Sequence, residues 1–424
     1  MHEDSAFRST RLDSGVEVVG QLMGGVESAA VGILVGVGAR NEEPPHFGIS
    51  HFTEQMLFRG TRSLSDRELS DRLDALGVDY DSSAGIEMTL VSGVLLGSKL
   101  DRGIRLLADV IGEPAFPEDA MESVRTLLLQ EIRQREDRPA QLVLDRLRRD
   151  CFAGSPLSHD VLGSEESLQL ISREDLLAFW RAHYRGGNVT VSVAGNFRWE
   201  DVVGWLEEIT GSWQAAVTPD RFDPPAFHSG VSATVRDTSQ EHLGFAFPGV
   251  AFSDPDYYSS AVLAQALGGG TNSRIHQEVR EKRGLAYAAH ARFDALQRTG
   301  LFRVYVGTSA ERAHESVEVV FDELRKLETQ SLTVEETNLA KNRLKSSVVM
   351  RSESSAARMG ANLRNWWFEH RLRSLEDVKA GIEAVDPDQV RSLIRRLDIS
   401  RNIAAVALGP RTQEELFSGA TARL

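Results

Sequence analysis

The chain has 424 residues, a formal net charge of −14 at neutral pH and 41% hydrophobic residues. This length exceeds what a single hydrophobic core organises and predicts two domains of about 200 residues each. The acidic balance argues against nucleic acid and anionic membranes as partners, and the single cysteine, Cys151, excludes an internal disulfide. Because we find no signal-peptide pattern and no run of about 20 apolar residues, we expect a cytoplasmic protein.

The first half of the chain mixes apolar strand patterns with helical ones. An apolar run at residues 29–38 predicts a strand, and the segment SHFTEQMLFRGT at residues 50–61 follows it as a helix. The further patterns, in chain order, are a helix at 69–77, a strand at 88–97, a helix at 99–112, a long helix at 123–136 and a closing strand at 188–195. The β-branched residues and terminal glycine of the last segment are typical of a strand.

The second half repeats this order. The segment SAVLAQALGGGT at residues 260–271 shares Ser, Gln, Leu, Gly and Thr with residues 50–61 at a constant offset of 210. The corresponding patterns are a strand at 243–250, a helix at 275–284, a strand at 300–308, a helix at 310–327 and a closing strand at 403–409. We infer an internal duplication of about 210 residues.

Helices and strands do not alternate strictly, which favours an α+β fold over a doubly wound parallel sheet. We expect two homologous domains, each a mostly antiparallel sheet packed with helices. The predicted domains are residues 1–215 and 231–424. Residues 216–230, with three prolines and little periodicity, are the predicted linker.

The most informative motif is His51-Phe52-Thr53-Glu54-Gln55, one residue short of the H-x-x-E-H motif of zinc hydrolases. On a helix, His51 and residue 55 share one face, and Glu54 lies where a general base would stand. Zinc in a hydrolase typically takes three protein ligands and one water. In the second copy, the offset of 210 gives alanine in place of both His51 and Glu54. Packing alone therefore does not explain these two ionisable residues.

Glu131 is the candidate for the third ligand, because it closes an otherwise apolar stripe of the helix predicted at 123–136. The stripe consists of Val124, Leu127, Leu128 and Glu131. A carboxylate in such a position tends to point inward. His46, five residues before His51, is a weaker alternative ligand.

Four stretches give the chain a family resemblance. They are GARNEEPPHFGISHFTEQMLFRGT (38–61), LLLQEI (127–132), SPLSHDVLGSEESLQLISREDLLAFWRAHY (155–184) and LGGGTNSRIHQEVREKRGLAY (267–287). Together they run through both halves. With them the chain resembles a half-size member of the pitrilysin/insulinase family of zinc metallopeptidases, the inverzincins, which includes the mitochondrial processing peptidases.

The resemblance implies two similar α+β domains per chain, and two chains that form a clamshell around a peptide. It assigns the zinc ligands to His51, Gln55 and Glu131, with Glu54 as the catalytic base. It also implies that Arg280 and Tyr287, seven residues apart, complete the active site of the facing chain.

In such a site the tyrosine donates to the developing oxyanion and the arginine helps to hold the substrate backbone. The edge strand that grips the substrate in the family corresponds here to Asp81 and Ser82. The resemblance implies unfolded peptides of modest length as substrates.

Three departures from the family pattern concern the metal and the substrate strand. Gln55 replaces a histidine ligand, and an amide oxygen is a poorer zinc donor than an imidazole nitrogen. Val124 stands where the family usually carries an outer-shell glutamate. Asp81 and Ser82 stand where the family usually has Asn-Ala, and an ionised aspartate cannot donate to a substrate carbonyl.

These features leave open whether the chain is an active enzyme. In the favoured interpretation it is a pseudoenzyme or strongly attenuated subunit that binds peptides, holds zinc weakly or not at all, and supplies Arg280 and Tyr287 to a related chain with an intact motif. In the alternative it is an active homodimeric zinc endopeptidase with Gln55 as a weak ligand. A self-sufficient binding protein for unfolded peptides is a third interpretation. The expected assembly is a homodimer or a heterodimer with a related chain that carries an intact motif.

Overall fold

The computed structural model describes residues 7–216 and 222–419. Its first half contains β1 Phe7–Arg11, β2 Glu17–Leu22, β3 Ser28–Val35, α1 Ile49–Leu57, α2 Asp66–Leu76, β4 Asp79–Ala84, β5 Thr89–Leu96, α3 Leu100–Gly112, α4 Met121–Glu136, α5 Pro139–Cys151, α6 Glu165–Leu170, α7 Arg173–His183, β6 Val189–Gly195 and α8 Trp199–Thr210. The second half contains β7 Gly230–Val235, β8 Glu241–Gly249, α9 Tyr257–Gly268, a π-helical segment His276–Glu281, β9 Ala286–Ala295, β10 Gly300–Thr308, α10 Ala313–Gln330, α11 Val334–Arg351, α12 Ser355–Glu369, α13 Leu375–Glu383, α14 Pro387–Leu397, β11 Ala404–Gly409 and α15 Gln413–Phe417. Among the residues described, no helix is both long and apolar enough to cross a membrane.

The first compact unit comprises Met1–Arg133, His159–Phe222 and Val349–Leu375. Its six-stranded sheet has the order β1-β2-β6-β3-β5-β4. β2 and β6 are parallel, and the other neighbours are antiparallel. β3 and β6, in the middle of the sheet, are buried along nearly their whole length. Burial on both faces explains why these two strands are continuous apolar runs.

Helices cover both faces of this sheet. α1, α2, α3 and α8 contribute to one core together with the strands, around Ile33, Phe52 and Leu107. α12 packs on the other face, where Met359 and Leu363 join a smaller apolar cluster. The edge strand β4 lies beside α1, the helix that carries the His51–Gln55 motif.

The second compact unit comprises Gln134–Ser158, Asp223–Val348 and Glu376–Leu424. Its five-stranded sheet has the order β7-β11-β8-β10-β9, with β7 and β11 parallel and the other neighbours antiparallel. This order repeats β2-β6-β3-β5-β4 of the first unit strand for strand. The predicted α+β fold with two homologous, mostly antiparallel sheets is thus confirmed.

Each unit contains one helix from the opposite half of the sequence. α5 packs on the second sheet, where Leu147 lies over Gly244 of β8. α12 packs on β2, β3 and β6 of the first sheet. The predicted halves, 1–215 and 231–424, follow the duplication, whereas the packed units differ from them by one segment in each direction. Within the predicted linker, residues 217–221 lie outside the described residues.

Candidate active site

A buried carboxylate fixes the first turn of α1. Gly48 precedes the helix in the left-handed conformation (φ 92°), which favours glycine. The carboxylate of Glu42 accepts hydrogen bonds from the backbone N–H groups of Gly48 (2.7 Å) and Ser50 (2.9 Å), which have no partner within the helix. Glu42 is 4% exposed, and burial raises its pKa to about 7 although these hydrogen bonds act in the opposite direction.

Five polar side chains meet at α1. His51 lies between two carboxylates, with Nδ1 3.1 Å from Oε2 of Glu54 and Nε2 2.8 Å from Oε2 of Glu131. Nε2 of Gln55 donates to Oε2 of Glu54 at 3.1 Å. The hydroxyl of Ser82, on β4, donates to Oε1 of Glu54. The structure therefore brings together the three predicted ligands and the predicted base.

The charges of this cluster favour a protonated imidazole. Burial lowers the pKa of His51, but hydrogen bonds to Glu131 and Glu54 and their negative charges outweigh burial and raise the pKa to about 9. Glu54 is fully buried, whereas the side chain of Glu131 is 40% exposed. The imidazolium then donates to both carboxylates.

The donor set does not fit a catalytic zinc site with three protein ligands. Zinc takes imidazole nitrogen, thiolate or carboxylate oxygen. Within residues 7–216 and 222–419, no group of three or more His, Cys, Asp or Glu side chains is arranged to hold a metal. Gln55 turns its amide nitrogen, which is a hydrogen-bond donor, toward Glu54. Of the predicted ligands, His51 and Glu131 alone offer the atoms that zinc prefers.

Helix α4 supplies Glu131 from an edge of its buried face. Val124 and Leu128 are buried in the core, but Leu127 is 43% exposed. The predicted stripe was wrong at Leu127, because three residues of helix turn this side chain about 60° away from Val124, on the side opposite Leu128. Since Val124 is part of the core, no carboxylate supports Glu131 from that position.

His46, the weaker alternative ligand, lies elsewhere. Its Nε2 is 3.7 Å from Oδ2 of Asp175, and its side chain takes no part in the described contacts of His51, Glu54 and Glu131. The position of His46 beside Asp175 therefore does not support it as a replacement for the missing histidine.

A cleft of about 230 Å³ opens beside the cluster, between α1, α2 and β4. Ser82 and Tyr80 line it from β4, and Tyr80 stacks on Phe58 with ring centroids 5.0 Å apart. β4 is an edge strand among the described strands of its sheet, so its outer backbone groups can pair with an added chain. Asp81 is exposed and, by strand alternation, lies on the other face. Of the two predicted substrate-strand residues, Ser82 reaches the cluster and Asp81 does not.

Arg280 and Tyr287 lie in the second unit with accessible side chains. Arg280 belongs to the π-helical segment, a geometry often found at functional sites. Its Nε lies 3.8 Å from Oε1 of Glu281, a loose surface ion pair. Tyr287 is the second residue of β9 and is 46% exposed.

A β-bulge orients Tyr287. Its neighbours Ala286 and Ala288 pair with Thr308 and Gly307, which leaves Tyr287 as the extra residue on β9. The bulge turns the ring away from the core and over Gly307, where a Cβ would come 2.5 Å from the Tyr287 hydroxyl. A glycine inside a strand is the sequence signal for such a close approach.

Two residues next to the predicted site were missed by sequence reasoning. Gln240 accepts a hydrogen bond from the Tyr287 hydroxyl, and Glu42 binds the first turn of α1. Neither belongs to a motif with a diagnostic spacing. A glutamate shortly before a helix is a weak signal for a cap, and Gln240 gives none.

Two family models match the chain. The model described as insulinase (peptidase family M16) matches residues 23–165, and the model described as peptidase M16 inactive domain matches residues 170–344. A protein called an uncharacterized zinc protease from Mycobacterium tuberculosis (strain ATCC 25618 / H37Rv) is 32% identical over 414 residues, which cover 96% of this chain and 93% of the relative. Another from Bacillus subtilis (strain 168) is 29% identical over 384 residues, which cover 91% of this chain and 94% of the relative.

Two solved structures share the fold. One, described as the peptidase M16 inactive domain from Pseudomonas fluorescens, has a TM-score of 0.90 at 23% identity and covers 96% of this chain and 98% of that chain. The other, a protease from Helicobacter pylori, has a TM-score of 0.88 at 21% identity and covers 95% of this chain and 99% of that chain. At these identities the likeness concerns the fold alone.

Proposed function

The chain belongs to the insulinase family, peptidase family M16, and from that premise we propose that it is a non-catalytic or strongly attenuated subunit that binds unstructured peptides. It completes the active site of a related chain whose own H-x-x-E-H motif is intact. Its own cluster at α1 holds zinc weakly or not at all.

One observation carries the proposal: Gln55 stands at the second ligand position and turns its amide N–H toward Glu54. A histidine there would offer an imidazole nitrogen on the helix face of His51. With Gln55 in place, the carboxylate of Glu54 accepts hydrogen bonds from Gln55, His51 and Ser82. The oxygens that a general base would offer to a water are thus engaged within the protein.

The exposed Arg280 and Tyr287 support the role toward a partner. A tyrosine hydroxyl suits a developing oxyanion, and a guanidinium suits peptide carbonyl groups. Both side chains belong to the second unit, so the presence of Gln55 instead of a histidine in the first unit does not alter their chemistry. This combination is what a subunit needs when it completes the site of another chain.

Restoring the histidine tests the account of the metal site. Gln55→His should bind zinc at least about tenfold more tightly than the wild type, as measured by competition with a chromophoric chelator. Gln265→His is the matched control, because Gln265 lies 210 residues later on α9 with Ala261 and Ala264 beside it. Unchanged zinc affinity in Gln55→His would contradict the proposal that Gln55 is the lost donor.

Removing one hydroxyl tests the role toward a partner. In a mixed complex with a related chain that carries the intact motif, Tyr287→Phe should slow peptide cleavage about tenfold or more. Assembly, measured by size-exclusion chromatography, should not change. Tyr258→Phe, in the same unit but packed over Gly381, is the control and should leave cleavage as in the wild type. Undiminished cleavage by the Tyr287→Phe complex would remove this residue from the mechanism.

The active homodimer makes the opposite prediction for the chain alone. Stoichiometric zinc in the purified wild type, together with cleavage of an unstructured peptide that a chelator stops, would replace the proposed function with that of a zinc endopeptidase.

A further inference from the structure

The sheet of the second unit carries a basic cleft that the family resemblance does not assign. The cleft has a volume of about 410 Å³ and lies between α5 and the strands β9 and β10. Three arginines converge on it in a chain whose net charge is −14. The polar residues that line it are Arg138, Gln141, His290, Arg292, Arg303 and Tyr305.

Two of the three arginines have no ion-pair partner among the described residues. Arg303 is paired with Asp294, with Nε 2.5 Å from Oδ2. Across the described parts of the chain, the guanidinium groups of Arg138 and Arg292 make neither a hydrogen bond nor an ion pair, and both side chains are exposed. Positive groups gathered around one cleft favour the binding of an anion.

Neutral hydrogen-bonding groups lie beside these charges. The buried Tyr305 has its hydroxyl 2.8 Å from Nδ1 of His242, and its ring lies 5.1 Å from that of His290. Burial, together with the charges of Arg292 and Arg303, lowers the pKa of His290, which favours the neutral imidazole. The cleft therefore combines fixed positive charge with uncharged groups that can donate hydrogen bonds.

The cleft adjoins Tyr287 along the same sheet. A Cβ added to Gly307 would lie 2.5 Å from the Tyr287 hydroxyl and 2.9 Å from the Tyr305 hydroxyl, so the exposed Tyr287 and the buried Tyr305 have their hydroxyls close together at Gly307. His290 follows Tyr287 by three residues on β9, a distance of about 10 Å along an extended chain. A peptide that reaches Tyr287 can therefore extend a neighbouring side chain into the cleft.

We propose that this cleft anchors a carboxylate of a bound peptide through Arg138 and Arg292. The inference rests on the proposed peptide binding and adds a preference for acidic peptides to it. Arginine matches a carboxylate because its planar group can donate two parallel hydrogen bonds. The carboxylate comes from an aspartate or glutamate side chain or from the end of the peptide.

Paired peptides test this preference on the full-length chain. Fluorescence anisotropy compares two labelled, unstructured, C-terminally amidated peptides that differ in Glu against Gln at the same positions. The wild type should bind the Glu peptide about fivefold to tenfold more tightly at low ionic strength, and salt should reduce the difference. The double variant Arg138→Gln/Arg292→Gln should reduce the ratio below about twofold. A Gln peptide with a free carboxyl end identifies the contribution of the terminus.

The control is Arg391→Gln/Arg395→Gln on α14, which removes the same charge from exposed positions of the same unit and should keep the preference. Equal binding of all three peptides, including the Gln peptide with a free carboxyl end, or a preference that persists in the Arg138/Arg292 variant, overturns the anchoring site. In both cases, binding of the Gln peptide by the wild type would still support the proposed peptide binding. A preference confined to the free carboxyl end supports the anchor and assigns it to the terminus. Absence of binding by every peptide overturns both proposals.

Discussion

Helices α1 and α9 occupy the same position in two copies of one sheet topology, but they meet their edge strands differently. After α1, Phe58 stacks on Tyr80 of β4, beside a cleft of about 230 Å³. At the offset of 210, α9 ends at Gly268, where a Cβ would lie 2.1 Å from the backbone nitrogen of Ala291 on β9. An aromatic pair keeps the first helix and strand apart, and a glycine lets the second pair close.

The two helices also differ in charge. α1 carries His51 and Glu54, and the same offset gives Ala261 and Ala264 on α9. Polar groups away from water must be hydrogen-bonded to be tolerated, and His51 and Glu54 satisfy each other and their neighbours. The comparison teaches that the duplication kept the scaffold in both copies, and that the polar cluster is found in the copy where a cleft opens between the helix and its edge strand.

The largest expected effect concerns Glu42, which has the buried Phe252 at the same offset in the second copy. The folded-state pKa of Glu42 is about 7, raised from an ordinary 4.5. The stability that the protonated group contributes is therefore complete below pH 4.5 and lost as the pH rises through 7. Relative to Glu42→Gln, the wild type should lose about 3 kcal/mol of unfolding free energy over this range.

Tryptophan fluorescence during urea unfolding measures this difference, since all six tryptophans lie in the first unit. A difference between wild type and variant that stays constant from acid to neutral pH would contradict the raised pKa of Glu42.

A smaller effect is expected where α9 meets β9. Gly268→Ala should destabilise the protein by about 2 kcal/mol, because the new methyl group meets the backbone of Ala291 rather than a flexible side chain. Gly204→Ala on α8 is the control, since among the described residues no atom beyond its own helix backbone and chain neighbours lies within 4 Å of its added Cβ, and it should stabilise by about 0.5–1 kcal/mol. Thermal unfolding followed by circular dichroism compares the two. Equal changes in unfolding free energy for the two variants would contradict the close contact between Gly268 on α9 and Ala291 on β9.

The smallest effect concerns the aromatic pair beside the first cleft. A double-mutant cycle of Phe58→Leu and Tyr80→Leu should give a coupling free energy of about 0.5–1.5 kcal/mol. Tryptophan fluorescence again reports the first unit. A coupling near zero would show that the stacked rings do not hold α1 and β4 in their present arrangement.

Much of the fold could be predicted because the patterns that specify it are local. The closing strands predicted at 188–195 and 403–409 are β6 Val189–Gly195 and β11 Ala404–Gly409, and alternating or continuous apolar residues identify them without tertiary information. The helix predicted at 275–284 instead contains the π-helical segment His276–Glu281. The apolar pattern does not specify this segment, because π-helical geometry depends on the packing around it. The domain limits and the catalytic, substrate and metal roles of the named residues stay predictions.

The sites were predictable where a motif spacing or the family resemblance indicated them, as for His51, Gln55 and Glu131. They were not predictable where contacts join distant residues without a characteristic pattern. Arg138 and Arg292 line one cleft although one precedes α5 and the other lies on β9. The packing of α5 on the second sheet and of α12 on the first likewise has no local signal. Each is an ordinary amphipathic helix whose apolar face could pack on either sheet.

The sequence by itself determined that two copies of one α+β unit form, and that the first copy has one histidine where a zinc hydrolase needs two. Only the tertiary structure decided what those residues do instead. It brings Glu131 to His51 across 80 residues, directs Gln55 to Glu54, and turns Tyr287 outward through a bulge opposite Gly307. The physical reason is that residue types fix which donors and acceptors exist, whereas hydrogen bonds require distances and angles that folding alone supplies.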